Sequence, residues 1–327
     1  MTEGFSADWL ALREPFDHAA RSVKLAHRLA ALLPQRRPQV LDLGAGTGSL
    51  FRFMAPIIGR GQDWMLLDAD GALLDEAFGR TAAWGRRQGF AATAEGDTLS
   101  LSTPHGLWRM RAVQRQLSEL FGAPVLAPAD AEQSPAKPSS PRKREPRRTT
   151  TVRRPLGPRL RGDDAASAIT LPADAIVCSA LLDLVSAAWL NRLRDTLKIP
   201  LLACLTVDGR DTWRPHHPLD VLVHTAFQRD MLRDKGLGRA LGTTAWRALN
   251  ARGGIAASAP SGWRIPRTAL HMQRALIDGT AAAARRASPA HAAAITAWQE
   301  ARLRQALRGG LAITIGHRDI LLLPPGG

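Results

Sequence analysis

Apolar positions along the chain alternate between the spacing of strands and that of helices. Gln39-Val40-Leu41-Asp42-Leu43 is a short apolar run of buried-strand length that empties into Gly44-Ala45-Gly46-Thr47-Gly48, after which Leu50, Phe51, Met54, Ala55 and Ile58 fall on one helical stripe. The unit predicted is strand, glycine-rich turn, helix. Trp64-Met65-Leu66-Leu67, closed by Asp68-Ala69-Asp70, predicts a second strand, and a second helix follows over about 73–87. Upstream, Val23, Leu25, Ala26, Leu29, Leu32 and Leu33 predict a leading helix over 17–33, ended by Pro34.

The alternation continues. Leu99 and Leu101, then Leu107, Met110 and Val113, flank the turn Thr103-Pro104-His105-Gly106 and predict a hairpin feeding a third core strand. Strands are expected at 175–179, 201–207 and 255–259, with a last strand or hairpin at 311–323 broken near Gly316. Helices are expected over 185–197, 219–233, 270–277 and 290–307. Strands and helices in this order give an α/β sheet. The reading is a helical lead at 1–39 and one domain at 40–327, interrupted by an insertion at about 128–166.

Charge changes the picture only once it is located. The 327 residues carry a formal charge of +15, which as a bulk value points to nucleic acid. Between Ser134 and Gly162, ten basic residues face Glu145 alone, so +9 sits there and +6 is spread over the rest. The same stretch holds six prolines and almost no periodic apolar residues, and it is expected to be disordered. Its SPRKREPRRTTTVRRPLGPRLRGDD resembles the translation of a small palindromic mobile repeat of GC-rich genomes, against the rival reading of a basic arm docking RNA phosphates. Cys178 and Cys204 are the only cysteines, which excludes a disulfide scaffold or a Cys-based zinc site, and no metal is expected. With no leader pattern and no apolar run of membrane length, a cytoplasmic protein with no membrane partner is expected.

The chemistry lies in the glycine turn. Asp42-x-Gly44-x-Gly46-x-Gly48 at a strand end, with Asp68 about twenty residues past the last glycine, belongs to nucleoside-cofactor sites. A dinucleotide fingerprint would need its third glycine at position 49, which is Ser49, so the register favours S-adenosylmethionine over NAD. The helix N-terminus would face the methionine carboxylate and Asp68 the ribose hydroxyls. The plainer alternative is a turn that only tightens a strand-to-helix junction.

VLDLGAGTGSL followed by WMLLDAD resembles motifs I and post-I of the class I S-adenosylmethionine-dependent methyltransferases, and DAIVCSALLDLVSAAWL resembles their fourth-strand motif. SALLDLVS, FQRDMLRDKGLGRALG and IGHRDILLLP further resemble a bacterial subgroup of unassigned substrate. The resemblance implies a doubly wound, Rossmann-like α/β fold: a mostly parallel seven-stranded sheet with one antiparallel strand. It also implies S-adenosyl-L-methionine as cofactor. Asp42, Gly44, Ala45, Gly46 and Gly48 would line its methionine side, Asp68 and Ala69 the ribose, and Ser179, Ala180 and Leu181 the floor near the methyl group. Where family members carry an acidic step after the third strand, this chain has Gln114-Arg115-Gln116-Leu117, leaving Gln116 as the candidate for the adenine amino group.

Methyl transfer needs positioning above all, and a base only if the acceptor carries a proton. Asp183 and His216 are the candidates for acceptor contact or base, with His217 beside the latter and His317 read as structural. Asp183 also suits a helix N-terminus, and His216 an ordinary surface loop. Arg13, Asp17 and Arg21 read as an ion-paired ladder on one helix face, and Arg229 to Lys235 as a solvated face. Cys178 reads as a small buried side chain. A small-molecule acceptor is favoured, with RNA methylation through the basic insertion, or a cofactor-binding fold without methyl transfer, as alternatives. Deleting residues 134–162 is expected to leave S-adenosylmethionine affinity, measured by calorimetry, and activity on the acceptor within about twofold. Loss of activity together with a steep salt dependence would mark an RNA enzyme.

Overall fold

The computed structural model describes residues 5–121, 173–251 and 254–324; the expected insertion lies outside the described residues. The leading helix is two helices, not one: α1 (Ala7–Ala20) and α2 (Val23–Leu32). Arg21 takes an extended conformation between them, and the Ser22 hydroxyl accepts the Leu25 amide, so a new helix starts where continuous periodicity had hidden a break.

The first half of the sheet is laid down in regular order. After β1 (Gln39–Leu43) come α3 (Ser49–Ile58), β2 (Gln62–Asp68), α4 (Gly71–Arg87), β3 (Ala91–Glu95), β4 (Thr98–Thr103) and β5 (Gly106–Gln114). The second half contains β6 (Ala175–Ser179), α5 (Ala187–Thr196), β7 (Leu201–Arg214), α6 (Asp220–Met231) and α7 (Ala245–Asn250). It closes with β8 (Ile255–Pro260), β9 (Trp263–Ile265), α8 (Leu270–Ala287), α9 (Ala292–Leu307) and β10 (Ala312–Leu322).

The strand order is β3-β4-β5-β2-β1-β6-β7-β10-β8, with β9 beside β10. Strands β5, β2, β1, β6 and β7 pair in parallel, and β10 runs antiparallel to both β7 and β8. The seven strands from β5 to β8 in this order, with β10 antiparallel, are therefore the mostly parallel Rossmann-like sheet that was expected. Two features correct the count. β3 and β4 extend the edge as an antiparallel hairpin, so β10 is not the one antiparallel strand; β3 went unpredicted because its residues are mostly exposed and show no apolar alternation. β9 adds a short pairing to β10, giving ten strands among the described residues.

Alternate residues of the strands face opposite sides, which makes the sheet the middle of three layers. Val40, Ala175 and Val177 pack with α2, α3 and α4, whereas Leu41, Leu43, Ile176 and Cys178 pack with α5 and α7. A third apolar cluster lies apart from these two. It is built from Trp213, Trp263 and Ile313 of the strands, α6, α8 and α9, with Trp9, Leu12 and Phe16 of α1 against it.

That cluster exists because β7 does not stop near Val207 as expected. Residues 211–214, anticipated as loop, are strand because Ile315 to Ala312 of β10 pair with them. Gly316 sits at the irregularity in this ribbon, where a Cβ would clash with Asp208 and lie 2.6 Å from the Arg210 carbonyl. Asp319, 1% exposed, fastens the ribbon to the N-terminal helices: its carboxylate accepts the Ser22 amide at 2.6 Å and the Leu205 amide at 2.8 Å. Leu205 has φ +55°, an uncommon conformation for a branched residue that this bond helps hold. Asp319→Ala leaves two buried amides without an acceptor, so a loss of about 3 kcal/mol in urea unfolding is expected, and a smaller one for Asp319→Asn.

Candidate functional site

From β1 the chain proceeds to β2 on one side of the sheet, and β6 lies on the other. Open α/β sheets take ligands in the crevice formed at such a reversal, outside the carboxyl ends of the strands. The glycine turn leaves β1 there, and Ser179 to Asp183 leave β6. Gly44, Gly46 and Gly48 all have positive φ, at +66°, +53° and +76°, a conformation in which any other residue is strained. The Gly44 and Ala45 amides donate to the Leu67 carbonyl at 2.8 and 3.1 Å, and the Gly46 amide donates to Asp68 Oδ2 at 2.8 Å. Asp68 thus holds the turn as well as facing it. Its other oxygen accepts the Asp70 amide at 3.0 Å, while Ala69 accepts a bond from Gln114 Nε2 at 3.3 Å. Burial pushes the Asp68 carboxyl up, against the amides of Asp70 and Gly46.

Asp42 is wholly buried and neither of its oxygens has a partner. Desolvation pushes its carboxyl up to about 8, with Arg21 opposing and Asp68 reinforcing the shift. Arg21 donates to Ser49 Oγ at 3.1 Å and to Ser179 Oγ at 3.0 Å, joining the β1 turn to the end of β6, and its Nε has no partner. Thr47 Oγ1 and Asp183 Oδ1 are also buried without partners. Unsatisfied polar groups are rare in protein interiors, and a group of them around one turn fits a polar ligand.

The Arg13, Asp17, Arg21 ladder forms, but it is buried. Arg13 Nε lies 3.0 Å and Arg21 Nη2 3.9 Å from Asp17 Oδ2, and Trp263 Nε1 donates to Asp17 Oδ1 at 3.0 Å. Four-residue spacing revealed the pairing; only packing against β9 revealed that α1 lies over the site. Leu10 of α1 comes within 3.1 Å of where a Cβ on Gly46 would be, and Leu181 within 3.3 Å of one on Gly44. Those two side chains cover the glycine face of the turn.

Asp183 is buried beside this crevice. Burial pushes its carboxyl up, with Lys235 and Arg13 opposing. The segment after α6 folds back so that the Gly242 amide donates to the Asp183 carbonyl and the Leu241 amide to that of Val185, both at 2.9 Å. The solvated-face reading of Arg229 to Lys235 holds for Arg229, Arg233 and Asp234, which are exposed, but not for Asp230, which is buried and accepts from Arg286 at 2.9 Å, nor fully for the half-buried Lys235, which burial depresses. His216 is elsewhere. It is exposed on the rim of a cavity beyond β7, and no contact joins it to Asp183. His217 Nδ1 accepts the Leu219 amide at 3.2 Å. His317 is buried, its ring 4.9 Å from that of Trp263, and burial together with Arg13 brings it down to about 4. Ala180, with φ +52°, donates its amide to Cys204. Burial raises the Cys178 thiol well above its ordinary range, which removes it as a nucleophile. Gln116 is exposed, and its carbonyl accepts the Glu119 amide.

The turn and the reversal beside it decide the fold type. It is a Rossmann-like α/β fold. No family model matches the chain, and no curated protein matches it by sequence. Solved structures similar to it include a candidate type II methyltransferase from Anaeromyxobacter dehalogenans (14% identity, 93% of this chain and 96% of that one, TM-score 0.43). Two S-adenosylmethionine-dependent methyltransferases solved with S-adenosyl-L-homocysteine are also similar. The one from Thiobacillus denitrificans has 12% identity over 98% of this chain and 99% of that one, with TM-score 0.40. The one from Geobacter sulfurreducens has 14% identity over 92% and 90%, with TM-score 0.37.

The position of Asp42 has a consequence for stability. Its folded pKa of about 8 lies above the unfolded value of 3.8, so between those two pH values the folded state holds a proton that the unfolded state has lost. Stability from this group is full below about pH 4 and falls as pH rises toward 8. Asp42→Asn removes that slope. Relative to the native protein, the variant is expected to gain on the order of a few kcal/mol in denaturant melts on going from pH 5 to pH 8. Parallel pH profiles for the two proteins would contradict the account.

Proposed function

We propose that the protein is an S-adenosylmethionine-dependent methyltransferase acting on a small molecule. The observation that carries this reading is the buried, unpartnered Asp42 carboxylate beside a left-handed glycine turn at the reversal of strand order. A buried carboxylate with no donor is costly, and a ligand ammonium would relieve it. The N-terminus of α3 and the Arg21 guanidinium stand on the opposite charge side and suit the ligand's carboxylate. Asp68 is the acceptor for ribose hydroxyls, and Gly44, Ala45, Gly46 and Gly48 line the methionine side, the glycines giving the turn its left-handed backbone. Ala69 belongs to the ribose side, and Ser179 and Ala180 to the floor.

When bound, S-adenosylmethionine supplies a methyl group made electrophilic by its sulfonium. The chain's own contribution is position and dryness. Arg21 fixes Ser179 against Ser49, so the floor of the crevice and the glycine turn keep one spacing. Leu10 and Leu181 exclude water above the turn. Asp183, buried and with a free oxygen, is the residue to receive an acceptor proton, and Lys235 and Arg13 hold charge beside it. His216 is exposed and apart from this group, which moves it from base to bystander. A crevice covered by α1 suits a small acceptor better than a polymer.

Calorimetry tests the cofactor: the native protein is expected to bind S-adenosylmethionine, and Asp68→Ala to bind it at least tenfold more weakly. Absence of binding by the native protein would overturn the reading. A screen of metabolite fractions with methyl-labelled cofactor identifies the acceptor. With that acceptor, Asp183→Asn is expected to lower kcat about 100-fold while cofactor affinity holds, and an unchanged kcat would remove Asp183 from proton transfer.

A further inference from the structure

The distal end of the ribbon holds a second group of unsatisfied polar atoms that the glycine turn does not explain. An open cavity of about 520 Å³ lies between the end of β7 and the start of α6, lined among others by Asp211, Trp213, His216 and His224. That volume falls in the range of small-molecule sites. Three of its lining side chains carry a buried polar atom with no partner: Asp211 Oδ1, Trp213 Nε1 and His224 Nε2. Trp213 is 5% exposed and its ring centroid is 5.4 Å from that of His224, so two of the three atoms belong to adjoining rings, and Asp211 is two residues from Trp213 on the same strand.

The cavity is not part of the methyl-transfer crevice. Cys204 pairs with Ser179 at the floor of that crevice, and Asp211 lies seven residues further along the same strand. At the rise of an extended strand that is up to roughly 23 Å, far beyond the 3–3.5 Å that reacting atoms need.

Its neighbours select the ligand. Asp211 receives the Gly316 amide on one side and feels the like charge of Asp208, and burial with that charge pushes its carboxyl up to about 6, so at neutral pH it is mostly an anion. The buried cation nearest the wall is already committed: Arg302 bonds both oxygens of Asp220 at 2.5 Å and the Pro215 carbonyl at 2.7 Å. Arg214 on the rim is exposed, where water and salt screen it. Asp211 Oδ1 therefore lacks a donor, and the Trp213 indole N–H lacks an acceptor. His224 stays neutral because burial lowers it, and offers one further hydrogen bond.

We propose that this cavity is a second ligand site, taking a small aromatic or flat amine whose ammonium meets Asp211 and whose oxygen accepts from Trp213. The charged hydrogen bond to a buried carboxylate supplies most of the selectivity. The inference is independent of the methyltransferase reading, since the site needs no cofactor.

Tyramine is the probe, with 4-ethylphenol as its neutral analogue and 3-(4-hydroxyphenyl)propionate as its anionic one. The readout is the Trp213 indole N–H resonance in the ¹⁵N spectrum of the full chain, assigned through Trp213→Phe. A saturable shift with tyramine is expected, with both analogues at least tenfold weaker. Asp211→Asn keeps an oxygen for the Gly316 amide and is expected to weaken tyramine at least tenfold, with a thermal melt confirming that it folds. His224→Phe, the second variant, is expected to weaken it severalfold. No shift with tyramine, equal affinity in Asp211→Asn, or equal or tighter binding of either analogue overturns the proposal.

Discussion

Antiparallel pairing of β10 with β7, from Leu322 against Leu201 to Ala312 against Arg214, carries one edge of the sheet past the point where the parallel strands stop. Parallel strands alone would leave a shallow crevice at their carboxyl ends. The ribbon supplies a wall on which α6, α8, α9 and α1 pack, and it brings Trp263 and His317 to face the N-terminal helix. Where the ribbon bends, Gly316 gives room for Asp208, and Asp319 ties Leu205 to Ser22.

Beyond the apolar packing of Trp9, Leu12 and Phe16, buried ion pairs attach the cover. Glu14 of α1 meets the nearly inaccessible Arg52 of α3 at 2.7 Å, and Arg52 also donates to the Thr47 carbonyl within the glycine turn at 2.8 Å. Burial works against the Glu14 charge, yet the Arg52 guanidinium keeps its carboxyl low. Asp17 joins Arg13 to Trp263, and Arg21 joins Ser49 to Ser179. Buried pairs of this sort contribute little net stability compared with apolar packing, but a helix attached through them has one register. Part of the chain's arginine content is this internal scaffold.

Asp42 and Asp319 are buried alike and differ in what meets their oxygens. Both are almost inaccessible. Asp319 has two amide donors and acts as a clasp, whereas Asp42 has none and its charge is suppressed. An unsatisfied carboxylate is retained in a fold only against a cost, which is the physical basis for reading it as ligand-facing.

The sheet and the glycine turn were legible in the sequence because their determinants are local. Apolar runs of strand length, helical stripes and glycines where φ must be positive identified β1, β2, β6 and the turn at Gly44 to Gly48, and with them Asp42 and Asp68. The amphipathic stripes of α2, α3 and α4 were equally plain, although the break at Arg21 was not, since helical periodicity continues across it. What escaped depends on residues far apart in the chain. β7 runs on to Arg214 because β10 pairs with it, and α1 lies over the site where Asp17 accepts the Trp263 indole N–H. Asp183 and His216 look alike as acceptor contacts in sequence. They part in space because the segment after α6 buries one against Lys235, while the length of β7 carries the other to an exposed rim. Spacing determines which residues share a face; long-range pairing decides what that face meets.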